Sequence, residues 1–176
     1  RKLVTEMGAL TIGNGLDDGV GVGPLVNAAT RAKVAEFVDD AVAKGAVVHL
    51  GGTTPPGPGF FYPPTVMSNV AQNADCVHDE IFGPVAAIQT FTDVEDVIAR
   101  ANDTEYGLVA YVFTENMKVG MQVCERLDYG MVGLNRGLVS DPAAPFGGTK
   151  QSGLGREGGH EGMMEFMETQ YISANW

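Results

Sequence analysis

Segments whose apolar residues recur every three or four positions alternate here with short runs that are apolar or β-branched throughout, and this alternation restricts the chain to the α/β class. From Asn27 to Lys44, the residues Val34, Phe37, Val38, Ala41 and Val42 share one helical face, and Gly45 supplies the stop. Ala46 to Leu50 is a β-prone run that ends at Gly51-Gly52, so the order helix, glycine, strand reads as one αβ unit. Thr53 to Pro64 is a Pro/Gly loop anchored by Phe60 and Phe61, and Pro84 to Phe91 is the next strand candidate. Asp93 to Ala101 repeats the helical pattern through Val94, Val97, Ile98 and Ala101, with Thr92 as the expected N-cap and Glu95 at the capping-box position. Leu108 to Phe113 is apolar throughout, as a strand buried on both faces would be. Asn116 to Leu127 predicts a third helix and Met131 to Leu134 a third buried strand. Glycine and turn residues dominate Pro142 to Gly162, and a short helix (162–167) and a last strand (170–173) close the chain. The pattern predicts a three-layer αβα arrangement around a mostly parallel sheet.

Charge narrows the partners. Acidic residues outnumber basic ones by 22 to 11, for a net charge of −11, and such a field repels nucleic-acid backbones and anionic membrane surfaces. An anionic substrate would need a local cation. With 44% hydrophobic and 19% charged residues in 176, the chain suits one folded domain and not a disordered segment. Its apolar runs are too short for a transmembrane helix, and no signal peptide is visible. Cys76 and Cys124 belong to no CxxC pattern, which fits a reduced cytoplasmic setting. The first residue is Arg1 and not Met, so a fragment or processed product is expected.

Several motifs tempt and fail. Gly153-Leu154-Gly155-Arg156-Glu157-Gly158 spells G-x-G-x-x-G, but a polar turn precedes it where a dinucleotide motif needs a strand, and too little chain follows. Its simpler reading is a glycine loop whose backbone packs closely or takes positive φ. Cys76, His78 and Glu80 would share a face if that segment were extended, yet no second cluster completes a metal site. His160-Glu161 lacks the second histidine of a zincin helix. Cys124 falls mid-helix, where packing is the simpler role, and Cys76 has only His78 nearby as a base. No G-x-S-x-G is present. The residues alone therefore nominate no catalytic group and no metal site.

Two stretches carry a resemblance: Asp79-Glu80-Ile81-Phe82-Gly83-Pro84-Val85, and the run from Pro145 to Glu157, P-F-G-G-T-K-Q-S-G-L-G-R-E. Both resemble signature stretches of the aldehyde dehydrogenase superfamily, in the family's order and at about its separation. Asn102 to Thr114, Gly23-Pro24-Leu25 and the Gly45-Ala46 to Gly51-Gly52 element also fit, so the resemblance covers nearly the whole chain. Asn135 to Ser140 and the run K-Q-S-G-L-G-R-E-G look most like the succinate-semialdehyde dehydrogenase branch.

The resemblance implies a role for four residues. Glu80 matches the glutamate that binds the nicotinamide ribose of NAD or NADP, and a carboxylate can accept hydrogen bonds from both ribose hydroxyls. Phe82 matches the aromatic beside the nicotinamide. Phe146 matches an aromatic lining the aldehyde pocket, and Ser140 a serine that helps bind the substrate's distal carboxylate. Read without the resemblance, Glu80 is a solvated loop carboxylate, Phe146 a core filler and Ser140 a turn residue. In the family a cysteine thiolate attacks the aldehyde, NAD(P) takes up the hydride, and a glutamate activates water to release the acid. An asparagine amide and a backbone N–H hold the oxyanion. All of these, with the Rossmann domain, precede the stretch matched by Arg1 to Gly15, so residues 1–167 are expected to form part of the catalytic domain and the fragment alone to be inactive. Residues 168–176 match a terminal oligomerisation strand, and together with an uncovered strand edge they predict a homo-oligomer. The competing reading is a non-catalytic oligomerisation module.

Overall fold

The computed structural model describes all residues, 1–176, as two compact units, Arg1–Thr92 and Asp93–Trp176. Each is described by itself.

The first unit contains α1 (Lys2–Gly8), α2 (Ala28–Ala43), β1 (Val47–Leu50), β2 (Thr65–Ser68), α3 (Asp75–His78) and β3 (Val85–Ala87). Helix α2 starts where Asn27 Oδ1 accepts the Thr30 N–H at 2.8 Å, satisfying one of the orphan donors of the first turn. Its Val34, Phe37, Val38 and Ala41 are buried against Tyr62, Met67, Val70, Ala74 and Cys76, which together form the core. Burying each of these valines contributes roughly 1.5–3 kcal/mol. The strand order is β1-β2-β3, with β1 antiparallel to β2 (Val48 opposite Met67) and β2 parallel to β3 (Val66 opposite Ala86). Thr65 is wholly buried and polar, and its Oγ1 is satisfied twice, accepting from Gly52 N–H and donating to Pro63 O.

The second unit contains α4 (Val94–Asn102), β4 (Tyr106–Gly107), β5 (Val109–Val112), α5 (Met117–Cys124), β6 (Met131–Leu134), β7 (Thr149–Lys150) and α6 (Gly159–Met164). Strands β5 and β6 are parallel, Val109 opposite Met131 through Val112 opposite Leu134, and α5 packs on the pair. Strands β4 and β7 are antiparallel, with Tyr106 opposite Lys150. The chain is thus a mixed α/β fold with parallel portions.

Differences from the sequence reading have local causes. Asp93, not Thr92, caps α4: its Oδ1 accepts the Glu95 N–H at 2.9 Å. The strand candidate from Pro84 narrows to Val85–Ala87, and the closing helix begins earlier, at Gly159. The segment bearing Cys76 and His78 is a helical turn and not extended, so the shared face imagined for a metal is lost. Strand β5 is not buried on both faces: Tyr111 is 42% exposed, because a two-stranded pair covered by α5 leaves a face open. Residues 170–173 pair with no strand of this chain.

Candidate functional site

In the first unit the chain leaves α3 and turns through Glu80 to Pro84 into β3. Ile81 packs against the core, and Gly83 presses on α2, where a Cβ would come within 2.7 Å of Val34 Cγ2. Pro84 O accepts from Thr65 N–H and Gly83 O from Val85 N–H, both at 2.8 Å. Phe82 lies between these anchored neighbours and takes φ 49°, a left-handed conformation that costs a bulky residue about 1–2 kcal/mol. Phe82 is 69% exposed. Glu80 is exposed beside it and pairs with no group of the chain, so one turn offers an uncommitted carboxylate and a bare aromatic face. That pair suits a ribose diol next to a flat heteroaromatic ring: two acceptor oxygens for two hydroxyls, and an apolar surface for the ring.

In the second unit, residues 146–157 form a loop closed on itself. Phe146 and Glu157 exchange backbone hydrogen bonds of 2.6 and 2.7 Å. Arg156 Nη1 donates to Gly148 O at 2.8 Å and Gly155 O at 2.7 Å, while Glu165 accepts from the Arg156 N–H. The loop borders a cleft of about 390 Å³ lined by Phe146, Leu108, Ser152, Arg156, Glu165 and Phe166, among others. The half-buried Phe146 therefore is both a packed residue and a pocket wall. Ser140 is exposed on the segment before it and does not line that cleft. Arg156, which holds the loop together, and Ser152, whose Oγ accepts the Gly107 N–H of β4, were missed in the sequence, where the glycine spacing is the stronger signal.

The other nucleophile candidates fall away. Cys76 is buried, not exposed, and burial, reinforced by the Asp40 charge, pushes its thiol up, so the thiolate is disfavoured. His78 Nε2 lies 2.8 Å from Gln72 O. Asp40 is held low by its hydrogen bond from Lys44, which also pairs with Asp75.

Residues 1–172 match the aldehyde dehydrogenase family. This chain belongs to that family. The chain is 50% identical over 172 residues to the succinate-semialdehyde dehydrogenase of Paenarthrobacter nicotinovorans, covering 98% of this chain and 38% of that protein. It is 47% identical to the glutarate-semialdehyde dehydrogenase of Pseudomonas aeruginosa, over 97% of this chain and 35% of that protein. The crystal structure of an E. coli NADP-dependent enzyme superposes with a TM-score of 0.91 at 46% identity, over 96% of this chain and 35% of the other. The chain therefore spans little more than a third of the length of these relatives. No helix is long and apolar enough to cross a membrane.

Proposed function

We propose that this chain is the C-terminal part of a cytoplasmic enzyme that oxidises a semialdehyde, succinate semialdehyde above all, to the dicarboxylic acid with NAD or NADP. The observation that carries the reading is the Glu80–Phe82 turn. Its carboxylate has no partner in the chain, and its backbone accepts a left-handed residue that leaves an aromatic ring exposed. Glu80 would hold the nicotinamide ribose and Phe82 would pack beside the ring, fixing its orientation. A bound nicotinamide supplies the oxidant. Phe146 would wall the aldehyde pocket and exclude water from it, and the Ser140 hydroxyl would donate to the substrate's distal carboxylate. The nucleophile, the general base and the oxyanion donors would come from the part of the relatives' length that this chain does not span, and the fragment alone would not turn over. The exposed Tyr171 and Ile172 in 168–176, the segment beyond residues 1–167, favour a homo-oligomer in which that segment gains a strand partner.

The test compares the full-length protein and residues 1–176, each given succinate semialdehyde, glutarate semialdehyde and a carboxylate-free aldehyde, with NAD and then NADP. Cofactor reduction by the full-length protein alone is the expected result. One methylene separates the two semialdehydes, so their kcat/KM values should differ by about 10–200-fold at most. A carboxylate-free aldehyde with much the highest kcat/KM would remove the Ser140 assignment, and no turnover of any aldehyde would remove the function.

A further inference from the structure

Lys150 sits four residues after Phe146, at the centre of the loop that borders the cleft. Its backbone takes φ 55°, in the left-handed region that a non-glycine residue enters at a cost. From there its ammonium reaches Asn102 O at 3.0 Å, Thr104 O at 3.2 Å and Asp128 Oδ2 at 3.0 Å. Three N–H donors thus meet three oxygens, which is the full capacity of the group. Two of the acceptors lie at and just beyond the C-terminal end of α4, where carbonyls lack partners within the helix and the helix dipole favours a cation. The side chain is 24% exposed, so most of its length is packed against protein.

The other ties of this loop divide into two kinds. The Phe146–Glu157 pair and the Arg156 bonds run within the loop and fix its shape. The β4–β7 pairing and the bonds from Gly107 N–H to Ser152 Oγ and from Gln151 N–H to Glu105 O fasten it to β4 and the residue before it, and the Thr149 hydroxyl lies 3.4 Å from both Gly107 O and Asp128 O. Lys150 alone carries charge from the loop to α4 and to the turn before β6. We infer that Lys150 is a positioning residue: a tethered cation that holds the Phe146 loop in place against α4, so that its removal loosens the aldehyde site while leaving the loop's own closure intact. This rests on the dehydrogenase reading only in the identity of the substrate affected.

The experiment uses the full-length protein with Lys150→Ala, which empties the ammonium position but leaves its three oxygens, and Lys150→Met, which fills the space without charge. Lys150→Ala should raise the aldehyde KM about tenfold with little change in kcat, a loss of about 1.4 kcal/mol in transition-state binding by the tenfold rule. Ammonium chloride should restore much of this in the Ala variant and none in the Met variant, whereas tetramethylammonium chloride at equal ionic strength should restore neither. Hydrogen exchange across residues 146–157 should quicken in Lys150→Ala and slow again with ammonium, and this readout holds even for a protein that turns over no aldehyde. Unchanged exchange and KM in Lys150→Ala, or changes that ammonium does not reverse, would overturn the inference. Should Lys150→Ala not fold, Asp128→Asn replaces it: a smaller rise in exchange across the same residues is expected, and no rise would count against the tether. An inactive wild-type enzyme with ammonium-reversible exchange would refute the dehydrogenase reading and leave the tether standing.

Discussion

The Glu80–Pro84 turn and the Phe146–Glu157 loop each present an aromatic residue directly before a glycine, yet they are held by opposite means. The turn is wedged: Ile81 packs into the core, Gly83 touches Val34, and Phe82 is left to take a strained backbone. The loop is laced: backbone pairs, the Arg156 guanidinium and the Lys150 ammonium fix it with hydrogen bonds and charge. A wedged segment should be sensitive to volume, and a laced one to charge and to anything that blocks a backbone approach. Substitutions can separate the two.

The largest effect is expected where added volume meets backbone. A Cβ at Gly130 would lie 2.0 Å from Gly147 O, so Gly130→Ala must displace the chain leading from Phe146. At Gly83 the obstacle is the Val34 side chain at 2.7 Å, in a core that can yield only slightly. We expect Gly130→Ala to cost about 3 kcal/mol and Gly83→Ala about 2 kcal/mol, read from denaturant midpoints at constant slope. A larger loss at Gly83 than at Gly130 would contradict the contrast.

Next comes Glu80→Gln. Glu80 is exposed and unpaired, so the folded chain should not notice the change. The amide keeps one acceptor oxygen where the carboxylate offered two, and it loses the charge that strengthens such bonds. The cofactor KM of the full-length enzyme should rise about tenfold, or about 1.4 kcal/mol, with an unaltered Tm. A fall in Tm without a change in KM would make Glu80 a structural residue after all.

How much of this was legible in the sequence follows the same division. Wedging leaves an apolar periodicity, and the helix carrying Val34, Phe37, Val38 and Ala41 and the strands near Val47, Val109 and Met131 were visible in it. Strand β2 was not, because Thr65-Val66-Met67-Ser68 follows directly on a Pro/Gly loop and its pairing with β1 and β3 is non-local. The two-residue strands β4 and β7 left no pattern either, since each is too short to show an alternation and their pairing is non-local. Of the site, the turn and Phe146 came from signature stretches. The family match and the relatives bear out the family, and the residue roles stand as proposals. The lacing by Arg156 and Lys150 was hidden, because four of the five acceptors are backbone carbonyls that carry no residue identity and the fifth, Asp128, lies far away in sequence.

A subtler substitution pair tests whether the strain at Phe82 is real. Both Phe82→Gly and Phe82→Ala remove the ring and should weaken cofactor binding alike. They differ in the Cβ, which a residue at φ 49° pays for and glycine does not. The Gly variant should be about 1 kcal/mol more stable than the Ala variant. Equal stability would mean that the turn relaxes, and that wedging does not define its conformation.

The substitutions with the smallest effect at neutral pH separate the two units by pH. Tyr62 is wholly buried in the core that holds Val34, its hydroxyl has no partner in the chain, and burial pushes its ionisation up to about 12. The unfolded phenol ionises near the ordinary 10, so between these values the unfolded state releases a proton that the native state keeps. Stability that is full below pH 10 is therefore lost as pH rises toward about 12. In the second unit the exposed Glu95 is held low by its hydrogen bonds from Arg126, so its contribution is present at neutral pH and lost as acid protonates it. Tyr62→Phe should abolish the alkaline loss of the first unit and, by removing a hydroxyl that has no partner, stabilise it by about 1 kcal/mol or less at neutral pH. Glu95→Gln should blunt only the acid side. The comparison sharpens if probes in each unit report these opposite limbs separately, and it breaks if Tyr62→Phe leaves the alkaline limb unchanged, since the core that wedges the turn would then already admit solvent to that ring.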